Sequence, residues 1–172
     1  MYVNCKGFTL LELMVVLVIT GITLAAAFPS FQGMIARNRV ATETNDVLLA
    51  INLARSEALK TGGIVSVQAV DSSNTSNEFG NGYCVVIGTP GNCTNAIRKF
   101  DALTGGTTLN SVDDVSVLEF NSLGGLNNTG SQVRKLDLCD PNQTGRRIVI
   151  SLVGRSKSHK PDDPVAANQP SC

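Results

Sequence analysis

Between Phe8 and Phe28 stands the run FTLLELMVVLVITGITLAAAF, in which Glu12 is the one formally charged side chain. A helix needs about 20 residues to cross the hydrocarbon core of a bilayer, so the run is of spanning length. Leu, Val and Ile dominate it, and Thr20 and Thr23 can return their hydroxyls to the helix backbone. A carboxylate inside such a helix costs roughly 2.5–3.5 kcal/mol on insertion scales, and intramembrane ionisable groups usually have a partner of opposite charge. No Lys or Arg lies between Phe8 and Arg37, so Glu12 needs a cation from elsewhere.

Three readings compete for this run. A secretory signal peptide has a shorter apolar core and a small-residue cleavage site, which Ala25-Ala26-Ala27 imitates, but it gives Glu12 no role. A plain membrane anchor places Glu12 near the interface. Cleavage between Gly7 and Phe8 instead sets a free α-amine four residues from Glu12, supplying the missing cation within the same or an adjacent subunit.

MYVNCKG followed by FTLLE resembles the class III signal of type IV prepilins and of type II secretion pseudopilins. In that family a short basic leader ends in Gly, Phe usually follows, and Glu is fifth in the mature chain. Lys6, Gly7, Phe8 and Glu12 match position by position, and Pro29 falls where the family commonly carries a helix-disrupting proline. The resemblance implies that a prepilin peptidase cuts after Gly7 and methylates the amine of Phe8. It also implies that Glu12 pairs with a neighbouring subunit's N-terminus during assembly, as a register rather than a catalyst.

The rest of the chain predicts one small head on a stalk, an α+β pilin fold. Residues 1–7 are the leader, 8–28 the transmembrane and assembly helix, 29–62 an amphipathic helix, 63–155 a β-rich head and 156–172 a tail. Pro29 has no N–H and disfavours helix before it, which predicts a kink. Phe31, Ile35, Val47, Leu48, Ile51, Ala54, Ala58 and Leu59 then recur at helical spacing as an apolar stripe, and Gly62-Gly63 stops the helix. After Gly63 the period changes to two: Ile64–Val70, Tyr83–Ile87, Val115–Phe120, Lys135–Cys139 and Arg146–Val153 read as short strands. Glycine-rich turns separate them, and the absence of intervening helices predicts an antiparallel sheet packed on the single long helix.

Two further blocks are similar to minor pilins of the GspH/FimT group. One is the helix end with Ala50, Leu53–Ala58 and Lys60; the other is LCD…GRRIVISLVGRSK, residues 138–157. The resemblance implies a non-enzymatic minor pilin of a type IV pilus, acting in assembly or initiation. The alternative is a GspH-like minor pseudopilin of a type II secretion system. Implied partners are other pilins through the N-terminal helix, prepilin peptidase and the bacterial inner membrane, with the head in the periplasm.

Of five cysteines, Cys5 belongs to the leader; Cys84, Cys93, Cys139 and Cys172 allow three connectivities. The Pro90-Gly91-Asn92 turn can join strand ends and favours Cys84–Cys93. Cys139–Cys172 then pins the tail, as pilins often do. An oxidising compartment keeps such bridges. No metal or cofactor is expected, since the spacings are not C-x₂-C and His159 is the single histidine. No catalytic residue is proposed: His159 lies in a basic tail, Asp113-Asp114 reads as a turn, and Gly80-x-Gly82 lacks the dinucleotide spacing.

Net charge is zero, with 14 Lys or Arg against 14 Asp or Glu, but the distribution is uneven. Between Arg134 and Lys160 seven basic residues face two aspartates, Asp137 and Asp140. Solvated edge-strand charges explain this, with Arg147 opposite Asp137 if the hairpin turns near Asn142. A phosphate-binding patch of Arg146, Arg147, Arg155 and Lys157 is the functional reading, with double-stranded DNA as the partner. Some FimT-like pilins bind DNA through a Gly-Arg-x-Arg motif. Gly154-Arg155-Ser156-Lys157 matches it except at the last position, where Lys keeps the charge and loses the bidentate fork.

Overall fold

The computed structural model of the chain describes residues 7–71, 73, 76–88, 90–127, 133–142 and 144–172; the side chains of residues 27, 29 and 30 are also outside it. Residues 1–6, which include Cys5 and most of the expected leader, therefore lie outside the described residues. So does the ring of Pro29, on which the expected kink rests. The helix α1 (Leu10–Thr61) is assigned without interruption through that position. Compactness divides the chain into two units between Arg37 and Asn38.

In the first unit the described side chains from Phe8 to Phe28 are all exposed. The Thr20 hydroxyl donates to the Val16 carbonyl at 2.7 Å and that of Thr23 to the Ile19 carbonyl at 3.0 Å. Both polar groups are thus satisfied within the helix, which leaves an apolar surface.

The second unit opens with the remainder of α1. Val40, Thr44, Val47, Ala50, Ile51, Ala54 and Ala58 are buried, a stripe at spacings of three, four or seven. Phe31 and Ile35, expected in the same stripe, are 64% and 49% exposed and belong to the first unit, and Leu59 is exposed as well. Ala50, Ala54 and Ala58 are wholly buried, small side chains that let packed strands come close to the helix backbone. Gly62 ends the helix at φ 66°, its N–H returning to the Ala58 carbonyl at 3.0 Å, a left-handed cap that needs no β-carbon.

Among the described residues eight strands follow: β1 (Val65–Ala69), β2 (Tyr83–Ile87), β3 (Arg98–Phe100), β4 (Thr108–Ser111), β5 (Val117–Phe120), β6 (Arg134–Cys139), β7 (Gly145–Ile150) and β8 (Ser156–His159). They form two antiparallel sheets rather than one, in the orders β3-β2-β1-β5 and β4-β6-β7-β8. Val65, Val67, Val85, Leu118 and Phe120 from the first sheet and Leu109, Leu136, Leu138, Ile148 and Ile150 from the second join the α1 stripe in one buried cluster. Burying each Val, Leu, Ile or Phe contributes about 1.5–3 kcal/mol, so this cluster is what holds the unit together.

Polarity alternates along β1, yet Ser66 and Gln68 are buried too. The connection after β2 folds over them: the Ser66 hydroxyl donates to the Gly88 carbonyl at 2.9 Å, and the Gln68 side-chain oxygen accepts from the Gly91 N–H at 3.0 Å.

The segment from Ser156 onward, expected as a tail, corrects that reading. Gly154 takes φ 75° and turns the chain back, so Ser156–His159 pairs with β7 as an edge strand. Ser-Lys-Ser-His carries no apolar alternation because its sheet contact is made by backbone groups. At the end of β8 the His159 side chain is 9% exposed and its Nδ1 meets Asp163 Oδ2 at 2.7 Å, so it is held against the head rather than loose in a tail.

Candidate functional site

Two places are candidates for function, one in each unit. At the start of α1 the Glu12 N–H donates to the Thr9 hydroxyl at 3.2 Å. Thr9 therefore caps the helix and Glu12 is its third residue, the Thr-x-x-Glu spacing of a capping box. The sequence signal for that role is the Thr9-x-x-Glu12 spacing ahead of the apolar run. Gly7, Phe8 and Glu12 are all exposed, so the glutamate side chain emerges among apolar side chains at a helix N-terminus. A carboxylate there is favoured by the helix dipole.

The second place is the basic end of the β4-β6-β7-β8 sheet. Because side chains alternate, Arg146 and Arg147 must lie on opposite faces. Arg146 is opposite Leu138 and shares its face with Ile148 and Ile150, the side that forms the core. Arg147 takes the other face but is 6% exposed. Its Nε and Nη2 donate to the two oxygens of Asp137, at 2.6 Å each, while Nη1 also donates to the Ala167 carbonyl and Nη2 to the Ser171 hydroxyl, at 3.0 Å each. The bond to Asp137 holds the guanidinium above its ordinary pKa against the opposing effect of burial. The expected face of four cations is therefore corrected: four of the five Arg147 N–H groups are engaged within the protein, and Arg146 lies on the opposite face.

What remains on the outer face is a smaller set. Lys135 and Lys157 both pair with Val149 from opposite sides, and Ser151 pairs with Arg155, so the three cations share one surface. Strand spacing puts the two lysine Cα atoms about 10 Å apart, and Arg155 about 7 Å from Lys157. Val149 and Val153 line the shallow depression beside Arg155 and Lys157. Lys135 escaped the sequence reading because only the register shows it beside Lys157. Arg134 is drawn off by Asp113 at 3.2 Å.

Disulfides join Cys84 to Cys93 and Cys139 to Cys172, with Cα separations of 5.9 and 5.5 Å. The first bridges β2 to the turn that covers Gln68. The second brings Ser171 to Asp137, whose Oδ2 accepts the Ser171 N–H at 3.1 Å. Among the described residues no cluster of His, Cys, Asp or Glu is suited to a metal ion.

One long N-terminal helix, antiparallel sheets and a capped glutamate within an exposed apolar run define a pilin-type subunit. The family model described as Type II transport protein GspH matches residues 43–154, and that of the Prokaryotic N-terminal methylation motif matches residues 3–28. The chain belongs to the GspH family.

Among solved structures, the type IV minor pilin FimU of Pseudomonas aeruginosa superposes with a TM-score of 0.61 at 23% identity, over 72% of this chain and 90% of that one. The minor pseudopilin EpsH from the Type 2 Secretion System of Vibrio cholerae gives 0.51 at 12% identity, over 73% and 99%. At such identities these show the shared fold. The Type IV major fimbrial protein FimA of Dichelobacter nodosus is 51% identical over 49 residues, 27% of this chain and 31% of that protein. A fimbrial protein of Pseudomonas aeruginosa is 43% identical over 61 residues, 36% and 40%. The chain thus spans less than half the length of these relatives.

Proposed function

We propose that the chain is a minor pilin of a type IV pilus, a structural subunit rather than an enzyme. Residues 1–7 are a leader that prepilin peptidase removes, freeing Phe8 for methylation. Residues 8–28 then cross the bacterial inner membrane once, leave the head in the periplasm and pack against other pilins in the fibre. The observation that supports this reading is Glu12, the lone charge in the exposed apolar run of residues 8–28, four residues from the α-amine that cleavage after Gly7 would free. Mass spectrometry of the native membrane protein tests the processing: a methylated Phe8 N-terminus without Cys5 is expected. An intact Met1, or cleavage after Ala27, overturns it. Glu12→Val should then insert and fold but fail to co-purify with other pilins.

A second assignment, the minor pseudopilin of a type II secretion system, is favoured by the description of the matching family. Co-purification with secretion components in place of pilus components would select it. For the head, the shared face of Lys135, Arg155 and Lys157 supports sequence-independent capture of double-stranded DNA through its phosphates.

A further inference from the structure

The head holds a second concavity, of about 510 Å³, between the Arg39–Asp46 stretch of α1, Tyr83 on β2 and the segment from Arg98 to Thr104. Glu43 lines it and is 8% exposed. One carboxylate oxygen, Oε1, accepts from the Thr104 N–H at 3.1 Å and from its hydroxyl at 3.3 Å. The other, Oε2, is buried and has no hydrogen-bond partner among the described residues. Buried carboxylate oxygens are normally paired, so this one marks an acceptor awaiting a donor.

Two of the three cations on the lining have partners of their own. Arg39, one helical turn before Glu43, donates instead to the Gly105 carbonyl at 3.2 Å and lies where a β-carbon on Gly105 would collide with it. Arg98 sits over the Phe100 ring, 5.0 Å from its centre. Asp46, also on the lining, has no salt-bridge partner among the described residues. Burial, then the Asp46 and Glu43 carboxylates, push the Tyr83 hydroxyl pKa upward, which places both anions near one phenol.

The walls narrow the ligand class. Phe100 stacks on Tyr83 with centroids 4.8 Å apart, and its other neighbour is Arg98, so no aromatic cage for a quaternary ammonium is open. Recognition falls to N–H donors. Arg39, Arg98 and Lys99 line the cavity as well, opposite Glu43, Asp46 and Asp101, so a ligand with one positive group meets the carboxylates with less repulsion than a polyamine does.

We propose that this cavity receives the ammonium or guanidinium group of a lysine or arginine side chain from a neighbouring fibre subunit, with Glu43 Oε2 and Asp46 as acceptors. The source of the side chain rests on the fibre reading above; the cation site itself does not. The site's fluorescence reports on it directly, since Tyr2 and Tyr83 are the two tyrosines of a chain without tryptophan.

The full chain in detergent micelles is titrated with N-acetyl-lysine amide and, at equal ionic strength, with neutral N-acetyl-norleucine amide. A saturable change in tyrosine fluorescence with the lysine compound alone is expected. Glu43→Gln should weaken it tenfold or more, and Asp46→Asn, at a half-buried position that can be changed without unfolding, should weaken it several-fold. No saturation, equal response to the neutral compound, or unchanged affinity in both variants overturns the site. Carbodiimide coupling of native membranes should link Glu43 or Asp46 to a lysine of another chain. Binding in micelles without that link overturns the neighbouring subunit as the source, while failure of Phe8 processing would overturn the fibre reading and leave the titration standing.

Discussion

Arg147 and Asp137 face each other across β7 and β6 with both carboxylate oxygens engaged, and the segment near Cys172 supplies the remaining contacts through Ala167 and Ser171. The pair is buried, with side-chain exposures of 8% and 2%. Removing one partner leaves an uncompensated buried charge, which costs about 3–5 kcal/mol, whereas replacing both with apolar groups costs far less. Arg147→Met and Asp137→Leu should each shift the denaturant midpoint strongly downward, and the double variant should recover much of the loss. Additive losses would show that the two residues do not act as a unit.

The DNA reading stands on Lys135, Arg155 and Lys157. If the purified chain retards duplex DNA, replacing all three with Gln should lower the salt slope of binding by about 2.7, at 0.9 per phosphate neutralised. Arg134→Gln and Arg146→Gln should leave the slope nearly unchanged. Absence of binding by the wild type near about 20–50 mM salt, where such contacts are strongest, would remove the DNA role and leave the assembly role intact.

Each disulfide limits the unfolded chain. For the sequence separation of 33 between Cys139 and Cys172 the loop-entropy relation gives about 4 kcal/mol, and about 3 kcal/mol for the separation of 9 between Cys84 and Cys93. Cys139→Ser with Cys172→Ser should therefore destabilise more than Cys84→Ser with Cys93→Ser. The first pair also loosens Ser171 from Asp137, which adds to the difference. Equal midpoints in guanidinium would contradict it.

Tyr83 sets an alkaline limit. Its phenol is held neutral by burial and by the Asp46 and Glu43 carboxylates, so its folded pKa lies above the ordinary value of about 10. Below that value both states keep the proton and stability is unaffected. Above it the unfolded chain ionises first, and stability falls as pH rises towards the folded pKa. Absorbance at the tyrosinate band should show Tyr83 ionising together with unfolding, and Tyr83→Phe should flatten that alkaline limb.

The stalk was legible because a spanning run, one charge and a helix end at Gly62 are local signals. Strands β2 and β6 were legible for the same reason, since Tyr83–Ile87 and Lys135–Cys139 are dense in apolar side chains. Arg98–Phe100, Thr108–Ser111 and Ser156–His159 were not, because short polar strands are specified by the neighbours they bond to. The split into two sheets is likewise a property of pairing. Charge counting located the basic quarter of the chain but not its working face. That required knowing that Arg147 meets Asp137 as an ion pair and that Lys135 lies one strand from Val149.

The two staples also give this chain an order of events. A polypeptide emerging N-terminus first can close Cys84–Cys93 and complete the β3-β2-β1-β5 sheet once Phe120 is out. The other sheet pairs β6 with β7 while Arg147 still lacks Ala167 and Ser171, and Cys139 waits for a thiol 33 residues away. A chain broken off before Ser171 would carry a half-satisfied guanidinium and a free thiol on an otherwise formed sheet. Both are marks that proteases and disulfide isomerases act upon. The bridge at Cys172 therefore closes late in synthesis, and only a chain that has run through to it satisfies both groups.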